Sequence, residues 1–185
     1  MAPPLSRAVR GRTPSGSEPT RAESSARWSW LRCIALLALV APQALSAQSN
    51  NVRVTQLSDV AFGALANLGV DAVRTQSVCV FAHTANGGYR VTATGSAPNG
   101  AFALSSGATL LDYEVQWSPS AGQSTGSQLS PNAPLTGLIS SATHQSCNNG
   151  PASTASLILV LRSAALSSAS AGSYSGTLTL LVGPE

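Results

Sequence analysis

The chain contains no lysine, so its ten cationic residues are all arginines. Six of them precede residue 47, and residues 48–185 carry four arginines against five carboxylates. A surface with so few cations cannot neutralise a phosphate backbone, which argues against nucleic acid as a partner. Charged residues make up 9% of the chain and only two residues are histidines, which leaves few groups for catalysis or metal binding.

One sequence pattern matches a catalytic motif in letters only. Residues 122–126 read Gly-Gln-Ser-Thr-Gly, the spacing of a serine nucleophile elbow. That elbow requires a strand turning sharply into a helix, followed by an acid and a histidine. Here the match lies in a Ser- and Gly-rich stretch, and the only acid after Ser124 is Glu185. We therefore expect no serine nucleophile.

The remaining polar and aromatic clusters also have simpler interpretations than chemistry. A zinc site from Cys79, His83, His144 and Cys147 is conceivable, but thiols oxidise in an export compartment, so we expect no metal or cofactor. Two acids share one face of a strand, and three aromatic residues fall on apolar faces, which predicts a solvated sheet surface and core packing. These residues are Asp112, Glu114, Tyr89, Tyr113 and Trp117. The protein is not expected to be an enzyme.

The N-terminal region has the features of an export signal. Residues 27–32 form a positive flank, residues 33–45 form an apolar core, and small residues follow, so cleavage is expected after Ser46 or Ala47. The apolar run is short for a membrane span and Pro42 interrupts it. We predict residues 1–47 as a signal peptide with an extended N-terminal region, the alternative being an uncleaved anchor. The protein would then pass to the periplasm and the cell surface or medium, with no membrane segment.

Export decides how the cysteines are interpreted. Cys33 leaves with the signal peptide, so Cys79 and Cys147 have one intramolecular pairing available. The predicted disulfide closes a long loop and is worth roughly 4 kcal/mol in the chain-entropy model. The alternative is a pair of unlinked core thiols.

Residues 48–185 have the length of one domain, and their periodic segments have the two-residue repeat of strands. We predict loops over residues 118–151 and one helical turn or a loop over 164–171. A hairpin turn is predicted at residues 86–88, Asn-Gly-Gly. The predicted strands are 51–57, 73–82, 89–94, 102–104, 111–117, 156–161 and 171–182. About seven short strands predict an all-β protein, an immunoglobulin-like antiparallel β-sandwich.

The last predicted strand has one regular apolar face and no following strand to pair with. Its neighbour is therefore expected from another polypeptide, which would leave the sandwich incomplete by one strand. A mid-strand glycine on that face is expected to form a shallow pocket for a partner side chain. The expected groove residues are Tyr174, Gly176, Leu178, Leu180 and Val182. The alternative is that residues 51–57 pair there and close the sandwich within the chain.

Three segments carry a resemblance to a known family: Val-Ala-Phe-Gly at 60–63, Tyr-Arg-Val-Thr-Ala at 89–93, and Ala-Gly-Ser-Tyr-Ser-Gly-Thr-Leu at 171–178. With them the chain resembles the spore coat protein U family, which includes the Csu-type pilins of chaperone–usher systems. The resemblance implies an incomplete immunoglobulin-like sandwich, held by a periplasmic chaperone, delivered to an usher and completed by the N-terminal segment of another pilin-like subunit.

Two departures from the family pattern leave the position in a fibre open. Family pilins usually carry a cysteine in the first strand, and residues 48–63 contain none. They also carry an N-terminal donor extension ahead of that strand, for which residues 48–51 are too short if residues 52–57 serve as the first strand. Either residues 48–57 are the first strand, so that the subunit accepts a donor strand without giving one and caps a fibre, or Val52 and Val54 belong to a donor strand and the first strand begins near Asp59. The expected function is a structural subunit of a surface fibre that supports adhesion or biofilm formation. The alternative is a self-contained secreted binding module that recognises a surface ligand through residues 118–151.

Overall fold

A computed structural model describes residues 50–185 of the chain; the predicted signal peptide lies outside the described residues. Ten strands and one short helix follow one another in this part of the chain. The strands are β1 Asn51–Thr55, β2 Ala72–His83, β3 Gly88–Gly95, β4 Ala103–Ser106, β5 Thr109–Asp112, β6 Glu114–Ser118, β7 Ser127–Gln128, β8 Pro134–Ile139, β9 Ala155–Leu161 and β10 Leu178–Pro184. Helix α1 spans Ser163–Ser168, within a segment for which one helical turn or a loop was predicted, and a 3₁₀ turn spans Pro98–Gly100. In residues 50–185, no helix is long and apolar enough to cross a membrane.

The strands form three antiparallel sheets that confirm the predicted all-β sandwich. The largest has five strands in the order β1-β2-β9-β6-β7, and a three-stranded sheet has the order β10-β3-β8. Strands β4 and β5 form a separate two-stranded sheet. Side chains from the inner faces of these sheets make one hydrophobic core.

Strand β9 lies at the centre of the five-stranded sheet, as its continuous apolar sequence predicts. Every one of its seven residues is buried. It pairs with β2 on one side and with β6 on the other. These neighbours satisfy the backbone groups of β9, and the burial of its side chains on both faces accounts for a nearly continuous apolar sequence.

A buried hydrogen bond joins the two main sheets through their aromatic residues. Trp117 of β6 and Tyr89 of β3 are almost fully buried, and Trp117 Nε1 donates to Tyr89 Oη at 3.1 Å. Burial raises the pKa of the Tyr89 hydroxyl, and the hydrogen bond with Trp117 opposes that shift. The prediction that Tyr89, Tyr113 and Trp117 pack in the core is confirmed.

The turn at residues 86–88 is present, but it does not make a hairpin. Gly87 adopts a φ of 68° and its N–H donates to Thr84 O at 3.3 Å, which closes the turn. The strands that it joins belong to different sheets, since β2 pairs with β1 and β9 whereas β3 pairs with β10 and β8. Asn and Gly specify a tight change of direction, while the sheet in which each strand lies depends on partners distant in sequence.

Three predicted segments differ from the structure. The strand predicted over 111–117 is broken at Tyr113, where the chain passes from β5 to β6. The loop predicted over 118–151 contains β7 and β8, and the strand predicted over 171–182 becomes regular only at Leu178. Strand β8 lies at a sheet edge, where its Pro134 and Gly137 are tolerated although they obscured the strand in the sequence.

Candidate functional site

Strand β10 is an edge strand with one free side. It pairs with β3 from Leu178↔Gly95 to Pro184↔Tyr89, and this ladder continues as Glu185 N donates to Gly88 O at 3.2 Å. Because bonding groups alternate along a strand, the N–H and C=O groups of Leu178, Leu180 and Val182 point away from β3. No strand within residues 50–185 pairs with that side. Strand β10 thus presents a row of free backbone donors and acceptors.

The same three residues turn their side chains inward. Leu178, Leu180 and Val182 are half-buried and pack against the hydrophobic core, as Tyr174 does. The intervening Leu181 is 68% exposed on the opposite face. The predicted two-residue alternation of this strand is therefore present, but none of its residues reaches the burial of β9.

An open groove runs beside the N-terminal half of β10. Its volume is about 1220 Å³, and it is lined by Leu178 and Leu180 together with Leu157, Leu159 and Leu161 of β9. Residues 57–65 and 169–177, which have no regular secondary structure, complete its walls. The lining is rich in leucine, so the groove suits apolar side chains held in extended chain.

Two of the predicted groove residues lie outside the regular strand. Tyr174 precedes β10, and its Oη donates to Ser170 O at 3.0 Å. Gly176 also precedes β10, and a Cβ there would meet Ala103 O and Leu104 Cδ2 at 3.2 Å each. The expectation that Gly176 lies in mid-strand is wrong, because it precedes β10 and β4 packs against it, although Tyr174 and Gly176 both line the groove. Gly176 allows a close approach of two backbone segments instead.

Strand β2 has a second free edge, which the sequence pattern did not predict. This strand has 12 residues, but β1 pairs only with residues 79–83. Arg74 and Gln76 lie opposite Leu159 and Leu157 of β9, so their side chains share the inner face with the core. Arg74 and Gln76 have the same two-residue spacing as the buried residues Val78 and Val80, and this polar interruption was the only feature of the sequence that indicated the edge.

The predicted disulfide joins Cys79 of β2 to Cys147, with the two Cα atoms 5.9 Å apart. Both residues are buried. The bridge ties the loop between β8 and β9 to the five-stranded sheet. The two sulfur atoms are bonded to each other and are therefore not available as zinc ligands. In the described part of the chain, no group of three or more potential metal ligands occurs.

Asp71 and Glu114 form an ion-pair cluster with Arg162. Arg162 Nε and Nη2 donate to the two carboxylate oxygens of Glu114 at 2.9 and 2.5 Å, and Nη1 donates to Asp71 Oδ2 at 2.8 Å. The bonds from Arg162 hold the pKa of Glu114 below its usual range, and the Ser163 N–H, followed by Arg162, does the same for Asp71. Glu114 therefore forms an ion pair with Arg162. The cluster ties together the ends of β2, β6 and β9.

The Ser-Gly stretch at 122–126 is part of the loop between β6 and β7. Gly122 N donates to Ser77 Oγ and Gln123 N to Ser156 Oγ, both at 3.0 Å. These bonds fix the loop on the five-stranded sheet, and the next element is strand β7. The strand–turn–helix geometry of a nucleophile elbow is not formed there.

No protein-family model, curated protein or solved structure matches this chain. Its class therefore rests on the fold and the site. The described residues form an antiparallel β-sandwich that is stapled by one disulfide. One edge strand of the sandwich carries free backbone groups beside an apolar groove.

Proposed function

We propose that this protein is an exported structural subunit of a surface fibre, joined to its neighbours by donor-strand complementation and supporting adhesion or biofilm formation. The observation that carries the proposal is the free outer edge of β10. Its backbone groups at Leu178, Leu180 and Val182 are unpaired in the described residues, while the side chains of the same residues line or adjoin the groove.

A strand added to this edge uses both features at once. Backbone hydrogen bonds to β10 supply affinity, and alternate side chains of the added strand enter the apolar groove and supply specificity. A free edge with a half-buried apolar face is also an aggregation hazard, and proteins normally cover such an edge. The partners that meet these needs are a periplasmic chaperone during export, an usher, and other pilin-like subunits in the fibre.

The first strand of the chain does not take this place. Strand β1 pairs with β2, from Asn51↔His83 to Thr55↔Cys79. It lies beside β10, with Cα atoms within 8 Å, but forms no ladder with it. The edge of β10 is thus unpaired within residues 50–185, and this supports a fibre subunit over closure by β1.

The test compares two neighbouring leucines of β10 after co-expression with the cognate periplasmic chaperone. Leu180→Asp places a charge in the apolar face, and we expect at least a tenfold loss of the chaperone that co-purifies, on the scale of a desolvated charge. Leu181→Asp is the matched control, because Leu181 is exposed on the other face and should leave capture unchanged.

Two results would contradict the proposal. One is equal capture of chaperone by both variants and the wild-type protein. The other is a wild-type protein that, expressed alone in a periplasm, is a stable monomer with cooperative unfolding. The second result favours the self-contained secreted module that binds a surface ligand through residues 118–151.

A further inference from the structure

Strand β1 covers only half of one edge of β2. It pairs with residues 79–83, whereas β9 pairs with residues 72–78 on the opposite side. The direction of the backbone groups follows from Thr154, which precedes β9. Its N–H donates to Val78 O at 2.9 Å, so the backbone groups of Val78 point towards β9. Even-numbered residues of β2 thus bond towards β9, and odd-numbered residues bond towards β1.

Three residues of β2 consequently have backbone groups without a strand partner, although the Val73 C=O accepts a hydrogen bond from Arg74 Nη1 at 2.9 Å. The N–H and C=O groups of Val73, Thr75 and Ser77 point to the side on which β1 lies, beyond the end of β1. No strand in residues 50–185 pairs with them there. We call this row the free edge of β2.

Residues 56–62 follow β1 and contact the side chains of Arg74 and Gln76 of β2 without pairing with that strand. Extending the β1–β2 register beyond Thr55↔Cys79 places Ser58 opposite Gln76 and Val60 opposite Arg74. In the structure Gln76 Nε2 donates to Ser58 Oγ. Arg74 donates from Nε to Ala61 O at 3.2 Å and from Nη2 to Phe62 O at 2.8 Å. The Gln76–Ser58 contact matches the extended register, whereas Arg74 bonds to the two residues after Val60. Side chains therefore hold the segment near the free edge of β2 although its backbone forms no ladder.

Gln56 is the residue at which the chain leaves the sheet. Its φ is 68°, in the left-handed region that is unfavourable for a residue with a Cβ atom. Its side chain is held by a hydrogen bond from Nε2 to Ala152 O at 3.0 Å. An extended Gln56 would relieve this strain and direct the following residues along the free edge of β2.

We infer that the free edge of β2 is a docking site for residues 56–62 of the same chain, which extend β1 along it in the existing register. Docking converts the side-chain contacts of Ser58 and Phe62 into a backbone ladder. Val60 and Phe62, which already pack against the core, would remain on the inner face next to the groove, because even-numbered residues of β1 share that face. In a fibre subunit of the proposed kind, the docked segment would compete with a donor strand for the groove.

Amide hydrogen exchange on the full chain, with two substitutions at Gln56, tests the inference. Gln56→Val disfavours the left-handed conformation and should increase protection of the Val73, Thr75 and Ser77 amides by about tenfold. Gln56→Gly removes the conformational penalty and should leave these amides unprotected. The Phe81 amide, opposite Arg53 of β1, reports that the sheet is intact in both variants.

A pair of prolines in the Gln56→Val background then tests the register. The N–H of Asp59 would donate to β2, so Asp59→Pro should abolish the added protection, whereas the N–H of Val60 points away and Val60→Pro should keep it. Equal exchange of the three amides in Gln56→Val and Gln56→Gly, or equal effects of the two prolines, would overturn the inference. None of these measurements involves a partner, so the docking can hold even if chaperone capture fails.

Discussion

Strands β9 and β10 are both seven residues long and both rich in leucine, yet they lie in opposite environments. Every residue of β9 is buried, and none of β10 is. The difference lies in their neighbours, since β9 pairs with a strand on each side and β10 pairs with β3 alone. Pairing on both edges satisfies the backbone of β9 and its side chains are buried on both faces, whereas β10 has one unpaired edge and an exposed outer face.

The same contrast separates two sides of the sandwich. On the closed side, the disulfide and the Arg162 ion-pair cluster hold strands that already have neighbours. On the open side, the edges of β10 and β2 adjoin irregular segments and a groove. Stability should therefore depend on the closed side, while binding should depend on the open side.

The largest loss of stability is expected from removal of the disulfide on the closed side. Replacing Cys79 and Cys147 together by serine frees a loop with a sequence separation of 68. In the chain-entropy model this lowers the free energy of unfolding by roughly 4 kcal/mol. The urea midpoint of the double variant, compared with that of the oxidised wild-type protein, measures it. An unchanged midpoint would show that the loop between β8 and β9 adds nothing to stability.

A direct comparison of the two strands comes from truncating one residue in each. Ile158 of β9 is fully buried, so Ile158→Ala should lower the free energy of unfolding by about 3 kcal/mol. Leu180 of β10 is half-buried, and Leu180→Ala should cost about 1 kcal/mol in the isolated protein because part of the side chain is already in water. Urea unfolding measures both, and equal losses would mean that the open edge is as well packed as the centre of the sheet.

The smallest effect is expected from the exposed ion-pair cluster, and it should appear only in acid. The pKa values of Asp71 and Glu114 are lowered in the folded protein. Their contribution to the free energy of unfolding is therefore present above the pKa values of the unfolded chain, near pH 4, and is lost as the pH falls through the lower pKa values of the folded protein. Arg162→Met should reduce this loss between pH 5 and about pH 2 and change little at neutral pH. Urea midpoints of the variant and wild type across that range measure the difference. Parallel pH curves would contradict a role for the cluster.

Strands with strong and continuous patterns were the most predictable parts of the fold. The apolar run at 156–161 predicted a central strand, and the alternation of Tyr89, Val91 and Ala93 predicted the buried face of β3. Strand β8 was missed because Pro134 and Gly137 are poor strand formers that only an edge position tolerates. The break at Tyr113 was missed because the alternation of buried residues continues from Leu111 to Trp117 across two sheets.

The candidate site was predictable in its apolar face but not in its boundaries. Leu178, Leu180 and Val182 alternate in the sequence and share one face in the structure. The place of Gly176 depends on β4, and the free edge of β2 depends on where β1 stops, so neither follows from local pattern. Both are set by contacts between residues far apart in the chain.

The amino-acid sequence by itself predicted that this protein is all-β, that Cys79 and Cys147 pair if the protein is exported, and that the last strand has one apolar face. These properties follow from side-chain period and composition, which act over a few residues, and from the small number of cysteines available. Only the tertiary structure decided that the turn at 86–88 crosses between sheets, that β1 pairs with β2, and that β10 keeps a free edge. The physical reason is that strand hydrogen bonds are made by backbone groups common to nearly all residues, so the choice of partner depends on how the whole chain packs.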